Sequence, residues 1–278
     1  MKRFSVLVSS VAILLVSAMP IKGYTEPLKP WLGNLFEFQL TGGYTFQHFS
    51  RIRTYPETIK RSTNMAYFDI DLGLVLLPTL NVGLNLGTQK AMGKNLYFDT
   101  AKVWGQYLIF DDIIGDPISM TLNLSLASTD TKVLGNLGKF HHGRFESVLS
   151  ASIGREWAIG RIFTHRIWAN IGIGGSTRSS LFGEEGLAWQ INFIDRIRVG
   201  AFGTFNGGFG KKRLTTLSDF TGYRHTRYRA IDGGISLKYR WGIWGDLKLQ
   251  FIRRFWGRSC PENGYSFQVI YHLPFSAF

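Results

Sequence analysis

Four short constellations in this 278-residue sequence carry side chains capable of chemistry. His48-Phe49-Ser50 sets an imidazole two residues from a hydroxyl, the types a base-activated nucleophile needs once a third group orients the ring. Asp69 and Asp71 stand two apart, as in an acidic hydrolytic pair, but no Asp-x-His supplies the dyad that such chemistry requires. His141 and His142 are adjacent, so in extended chain their rings diverge and chelate poorly. Gly172-Ile173-Gly174-Gly175 is glycine-rich yet lies in an alternating segment with no helix after it, so it lacks the context of a phosphate loop. Cys260 is the sole cysteine, which excludes an internal disulfide and leaves an extensive hydrogen-bonded sheet to hold the chain. No metal and no cofactor are expected from these residues.

The elements that must position them follow from composition and period. Apolar side chains make up 45%, without the repeated runs of about 18 or more that a helical membrane bundle needs. Aromatics at 15% and spread throughout exclude a disordered chain. Residues 1–23 read as a secretory signal peptide, with Lys2 and Arg3 before an apolar core and small residues at Ala18 and Gly23. The remaining domain, 24–278, repeats at two rather than 3.6. Phe36, Phe38, Leu40, Tyr44 and Phe46 alternate with Glu37, Gln39, Thr41 and Thr45; Phe68 to Leu76 and Ile118 to Leu126 behave alike.

This period predicts twelve strands, near 34–46, 65–77, 80–88, 97–109, 118–128, 145–157, 164–175, 187–194, 197–206, 230–241, 247–256 and 265–275. Short connections alternate with long ones, the latter at 47–64, 89–96, 129–144, 176–186, 207–229 and 257–264. Strands of about ten residues with such loop asymmetry are the pattern of a transmembrane antiparallel up-and-down β-barrel, all-β in class. Lipid cannot hydrogen-bond backbone, so only a closed sheet spans as strands, with its apolar face outward. A soluble β-sandwich also alternates, but aromatics near both strand ends, including Tyr239, Trp241 and Trp244, mark two membrane interfaces.

On these residues the chain resembles a Gram-negative outer-membrane β-barrel protein of the porin-like kind. Tyr265, Phe267, Val269, Tyr271, Leu273 and Phe275 resemble the terminal strand read by the outer-membrane assembly machinery, with Phe275 and Phe278 as the assembly signal. Pro274 interrupts that pattern, and Phe278 is out of phase with Phe275. The resemblance implies an outer-membrane location, both termini on the periplasmic side and loops facing out. His48 and Ser50 likewise resemble the pair of outer-membrane phospholipases and lipid A deacylases. There the Asn-Gly that follows is replaced by Arg51-Ile52.

Removing Lys2, Arg3 and Lys22 from 32 basic residues leaves 29 against 19 acidic, a net charge of +10. Parity sends Glu37, Asp69, Asp71, Arg166, Arg198, Lys238, Arg240, Lys248 and Arg254 inward as pore-lining residues, an acidic arc followed by a longer basic one. A narrow pore with such a wall favours small anionic or zwitterionic solutes. Arg51, Arg53, Lys60, Arg61, Lys211, Lys212 and Arg213, in long loops, are expected to meet lipopolysaccharide phosphates. Nucleic acid, which a pI of about 9.9 otherwise suggests, does not suit an exported barrel. The expected partners are membrane lipids, the assembly machinery and small solutes, with room for a homo-oligomer. The expected function is passive diffusion without catalysis; the alternatives are a lipid hydrolase using His48 and Ser50, and a plugged structural or adhesive barrel.

Overall fold

In the computed structural model, residues 26–276 are described apart from 92–94, 161, 178, 195 and 219. The expected signal peptide and Phe278 lie outside the described residues. Alternating side chains give β1 (Glu37–Arg53), β2 (Thr58–Leu77), β3 (Leu80–Ala91), β4 (Leu96–Phe110), β5 (Ser119–Thr129) and β6 (Phe145–Ile159). β7 (Phe163–Ser176), β8 (Phe182–Phe193), β9 (Ile197–Phe209), β10 (Arg227–Arg240), β11 (Asp246–Arg258) and β12 (Cys260–Ser276) complete the set. Each strand pairs antiparallel with its sequence neighbours, and β1 closes on β12 from Glu37↔Ser276 to Arg53↔Cys260. The result is a closed twelve-stranded barrel.

Closure leaves two very different faces. Leu40, Tyr44, Phe68, Ile70, Leu72, Val103, Leu126, Ile171 and Ile235 are exposed on the outer wall, and every strand contributes such residues. An apolar surface running around the whole molecule is intolerable in water but matches lipid. Among the described residues no helix is long and apolar enough to cross a membrane, and the strands take that role. Phe38 stacks on Phe275 at 5.4 Å where β1 meets β12, and Pro274 pairs with Gln39 inside the strand instead of ending it.

Strands run further at the end opposite the termini, here the outer end, than the polar sequence suggested. The expected loop 47–64 shrinks to residues 54–57 between β1 and β2, and 257–264 shrinks to Ser259, which turns with φ 54°. Hydrogen-bonded pairing continues there with polar side chains, because above the lipid a strand no longer needs an apolar face. Arg51, Arg53, Lys60 and Arg61 therefore stand on strands, not in a loop, with Arg51 opposite both Lys60 and Glu262.

Two connections remain long, 130–144 and 210–226, and both fold into the barrel. Their apolar residues drive this: Phe140 and Tyr223 pack with Tyr228, Phe182 and Cys260, while Leu137 and Leu214 pack with Phe49, Ile52 and Tyr67. The Tyr223 amide donates to the His141 carbonyl at 2.8 Å and its hydroxyl to the Leu137 carbonyl at 2.9 Å. At Gly222, φ is 114° and a Cβ atom would lie 2.9 Å from the Leu134 carbonyl oxygen, so the crossing requires glycine there. Beneath this lid Arg254 forks onto Asp232, Nε to Oδ1 at 2.7 Å and Nη2 to Oδ2 at 2.9 Å. Asp232→Ala strands that buried cation and is expected to lower the unfolding free energy by about 3–5 kcal/mol in a urea titration in detergent. Replacing both partners by Asp232→Leu and Arg254→Met should cost far less.

Candidate permeation site

The inner end of the barrel, where the termini lie, is entered by the chain itself. Residues 26–34 run inside the wall, and Phe36, with φ 57°, marks the reversal into β1. Trp168 Nε1 donates to the Pro27 carbonyl at 3.0 Å, Gln106 Nε2 to the Lys29 carbonyl at 2.6 Å, and Trp31 Nε1 to Asp112 Oδ1 at 2.9 Å. Trp31 meets Trp168 edge to face at 5.9 Å. Polar bonds thus satisfy a segment that lies outside the sheet.

Sheet register sets the wall around it. Lys238 on β10 is directly opposite Arg198 on β9 and Lys248 on β11, giving three cations in one row. One layer deeper are Gln190, Gly200, Ser236, Gln250 and Gln268, a neutral row of amides, a hydroxyl and a glycine. Glu26 enters the cationic row: it pairs with Lys248, lies 3.7 Å from Lys29 Nζ and accepts from Gln250 Nε2 at 3.5 Å. Lys29 Nζ donates to Gln190 Oε1 at 2.9 Å. Burial pushes the Glu26 carboxyl up, but the Lys248 and Lys29 charges outweigh it and bring it down to about 2. Burial lowers Lys29 to about 7 against the opposing pull of Glu26.

The nine residues expected to line a pore all sit at interior positions, but acids that parity reasoning overlooked lie among the cations. Arg166 pairs with Glu156 across the strands and lies 4.8 Å over Trp31. Asp246 takes both Lys238 and Arg240, the latter at 3.2 Å. Glu37 accepts from Asn34 at 2.8 Å and Gln39 at 2.9 Å, Asp71 accepts from Trp104 at 3.1 Å, and Asp69 faces Gly87. Arg254 is a correction: it is 0% exposed under Phe140 and borders no open path. Asp232 and Asp246 share the even parity of Lys238 and Arg240 along the same stretch, a signal that would have found them. At the outer end Lys139 and His141 descend onto Asp99, with His141 Nε2 at 3.0 Å from Oδ1. His142 turns the other way, to the Tyr228 hydroxyl at 2.9 Å.

His48 has a partner that the sequence did not reveal, Asn64, directly opposite on β2, with Oδ1 2.6 Å from Nδ1. Ser50 is not hydrogen-bonded to His48, so the pair is not assembled as a nucleophile and base. Lys211, Lys212 and Arg213 are exposed at the outer end, where Arg213 stacks 4.4 Å over Tyr55.

No family model matches the sequence, and no curated protein matches it significantly. The fold is similar to an outer membrane channel from Pseudomonas putida F1, with TM-score 0.63 and 10% identity over 91% of this chain and 100% of that one. The NanC porin gives 0.52 at 7% identity over 85% and 98%, and the translocator domain of autotransporter NalP from Neisseria meningitidis gives 0.50 at 10% over 87% and 90%. At such identities the likeness is one of fold. The fold is the closed antiparallel β-barrel that outer-membrane channels share with autotransporter translocator domains.

Docking of residues 26–34 favours ionised Glu26, so its stabilisation is present above the ordinary carboxyl value of 4.5 and is lost as pH falls towards about 2; the depressed Lys29 weakens docking earlier, between 10.5 and about 7. The fluorine NMR signal of fluorotryptophan at Trp31 should report the acid step, and Glu26→Gln should abolish it. Ser50→Ala and His48→Ala should release no less fatty acid from phospholipid vesicles than the parent protein.

Proposed function

We propose that this chain is an outer-membrane channel for passive diffusion of small anionic solutes, closed in the present conformation by its own residues. It reaches the membrane through cleavage of the signal peptide at residues 1–23 and inserts with Phe275 and Phe278 as its assembly signal. The observation that carries the reading is the mid-barrel wall. Much of it is small and neutral, as at Asn123, Ser150, Ser152 and Asn170, with bulky Trp104, Trp168 and Phe202 standing between, and the N-terminal segment takes up space beside Trp168, Gln106 and Gly186. A barrel made only to be solid would fill that space with bulky wall side chains, as the smallest barrels do. Arg198, Lys238, Lys248 and Arg240 give the inner mouth its cationic character. Arg51, Arg53, Lys60, Arg61, Lys211, Lys212 and Arg213 at the outer end suit the phosphates of lipopolysaccharide.

The second reading, a permanently plugged structural barrel, draws on the crossing of both mouths by chain. Planar bilayers decide between them. Deletion of residues 26–33 should raise conductance several-fold, with a reversal potential in a potassium chloride gradient that favours chloride. Silence of both parent and deletion, or a cation preference, would sink the channel reading.

A further inference from the structure

Lumenal cations of this barrel are neutralised in two ways. Arg166, Arg254 and Arg240 each face an acid in register on the adjoining strand, Glu156, Asp232 and Asp246. Lys248 does not: its cross-strand neighbours are Lys238 and Ile270. Like charges directly opposite destabilise a sheet, and the row Arg198, Lys238, Lys248 places three together. The carboxylate that answers Lys248 comes from Glu26, on a segment outside the sheet. The seat is built for that segment, since a Cβ at Gly186 would lie 2.4 Å from Pro27 Cγ.

We propose that the Arg198, Lys238, Lys248 row with Gln250 is a binding site for the carboxylate of a solute, which Glu26 occupies in the closed state. This deepens the channel reading and rests on it for the claim that the solute permeates. The wall has already selected a carboxylate, its own, with Lys248 as ion partner and the Gln250 amide as hydrogen-bond donor. In the adjoining row the Ser236 hydroxyl, and Gln190 Oε1 once Lys29 leaves with the segment, can bond hydroxyl groups beside the acid, so a hydroxycarboxylate fits better than a simple one. Binding and docking are mutually exclusive: an arriving carboxylate displaces Glu26, and the segment held by it leaves the inner mouth.

The test uses the full mature chain in detergent at pH 7 and constant ionic strength, with fluorotryptophan at Trp31 as the docking signal and sodium gluconate, acetate or chloride as probes. Gluconate at saturation should raise the released population about ten-fold, acetate less, and chloride not at all. Glu26→Gln should release the segment without any probe, and Lys248→Gln should do so and lose the gluconate response. Equal effects of gluconate and chloride would reduce the phenomenon to screening and overturn the site. No response to gluconate, while the deletion of 26–33 still conducts, also overturns the site and leaves the channel standing. A gluconate response with no conductance in the deletion upholds the site and removes permeation.

Discussion

Backbone amides and carbonyls inside lipid have only one another to bond, and the remainder of this structure depends on that. The constraint forces the sheet to close, with β1 bonded to β12 along almost their full length. Closure turns a period of two into a partition: every second residue faces lipid and the others share one interior. The mixed composition is the sum of those two surfaces, so mean hydropathy near zero conceals a membrane protein.

The two ends of that interior are closed by different forces. Long loops seal the outer end with apolar cores, one around Phe140 and Tyr223 and one around Leu137 and Leu214, above the buried Arg254 and Asp232 pair. The inner end is closed chiefly by ion pairs and single hydrogen bonds to a segment that contributes no strand, with Trp31 packed on the smaller apolar cluster of Trp168, Phe202 and Ile252. Water and solute ions can replace polar contacts at little net free energy, whereas exposing an apolar cluster costs about 25 cal/mol for each Å². The opening proposed above is therefore placed at the inner end.

Much of the wall was legible in advance because alternation is a local property. Twelve strands, their order and the interior positions of Glu37, Asp71, Arg198 and Lys248 follow from parity alone. Parity fails where lipid stops. Residues 47–53 and 58–64 look like a polar loop, yet they remain paired strands. Parity places the acids beside the cations on the interior face but does not give their pairing: Asp232 and Arg254 are 22 residues apart, and only register makes them neighbours. The His48 and Asn64 contact, 16 residues apart around a hairpin whose turn was misplaced, escaped in the same way.

The sequence by itself determined the class of the molecule, the sidedness of its strands and the surplus of positive charge, since each depends on residue type and spacing along one chain. Tertiary structure decided what fills the lumen. Whether a charge lines a path or is cancelled depends on a partner from another strand or segment, and closure of the ring brings Glu26 to Lys248 across 222 residues. Electrostatic pairing follows distance in space, which a linear pattern does not encode until the sheet has closed.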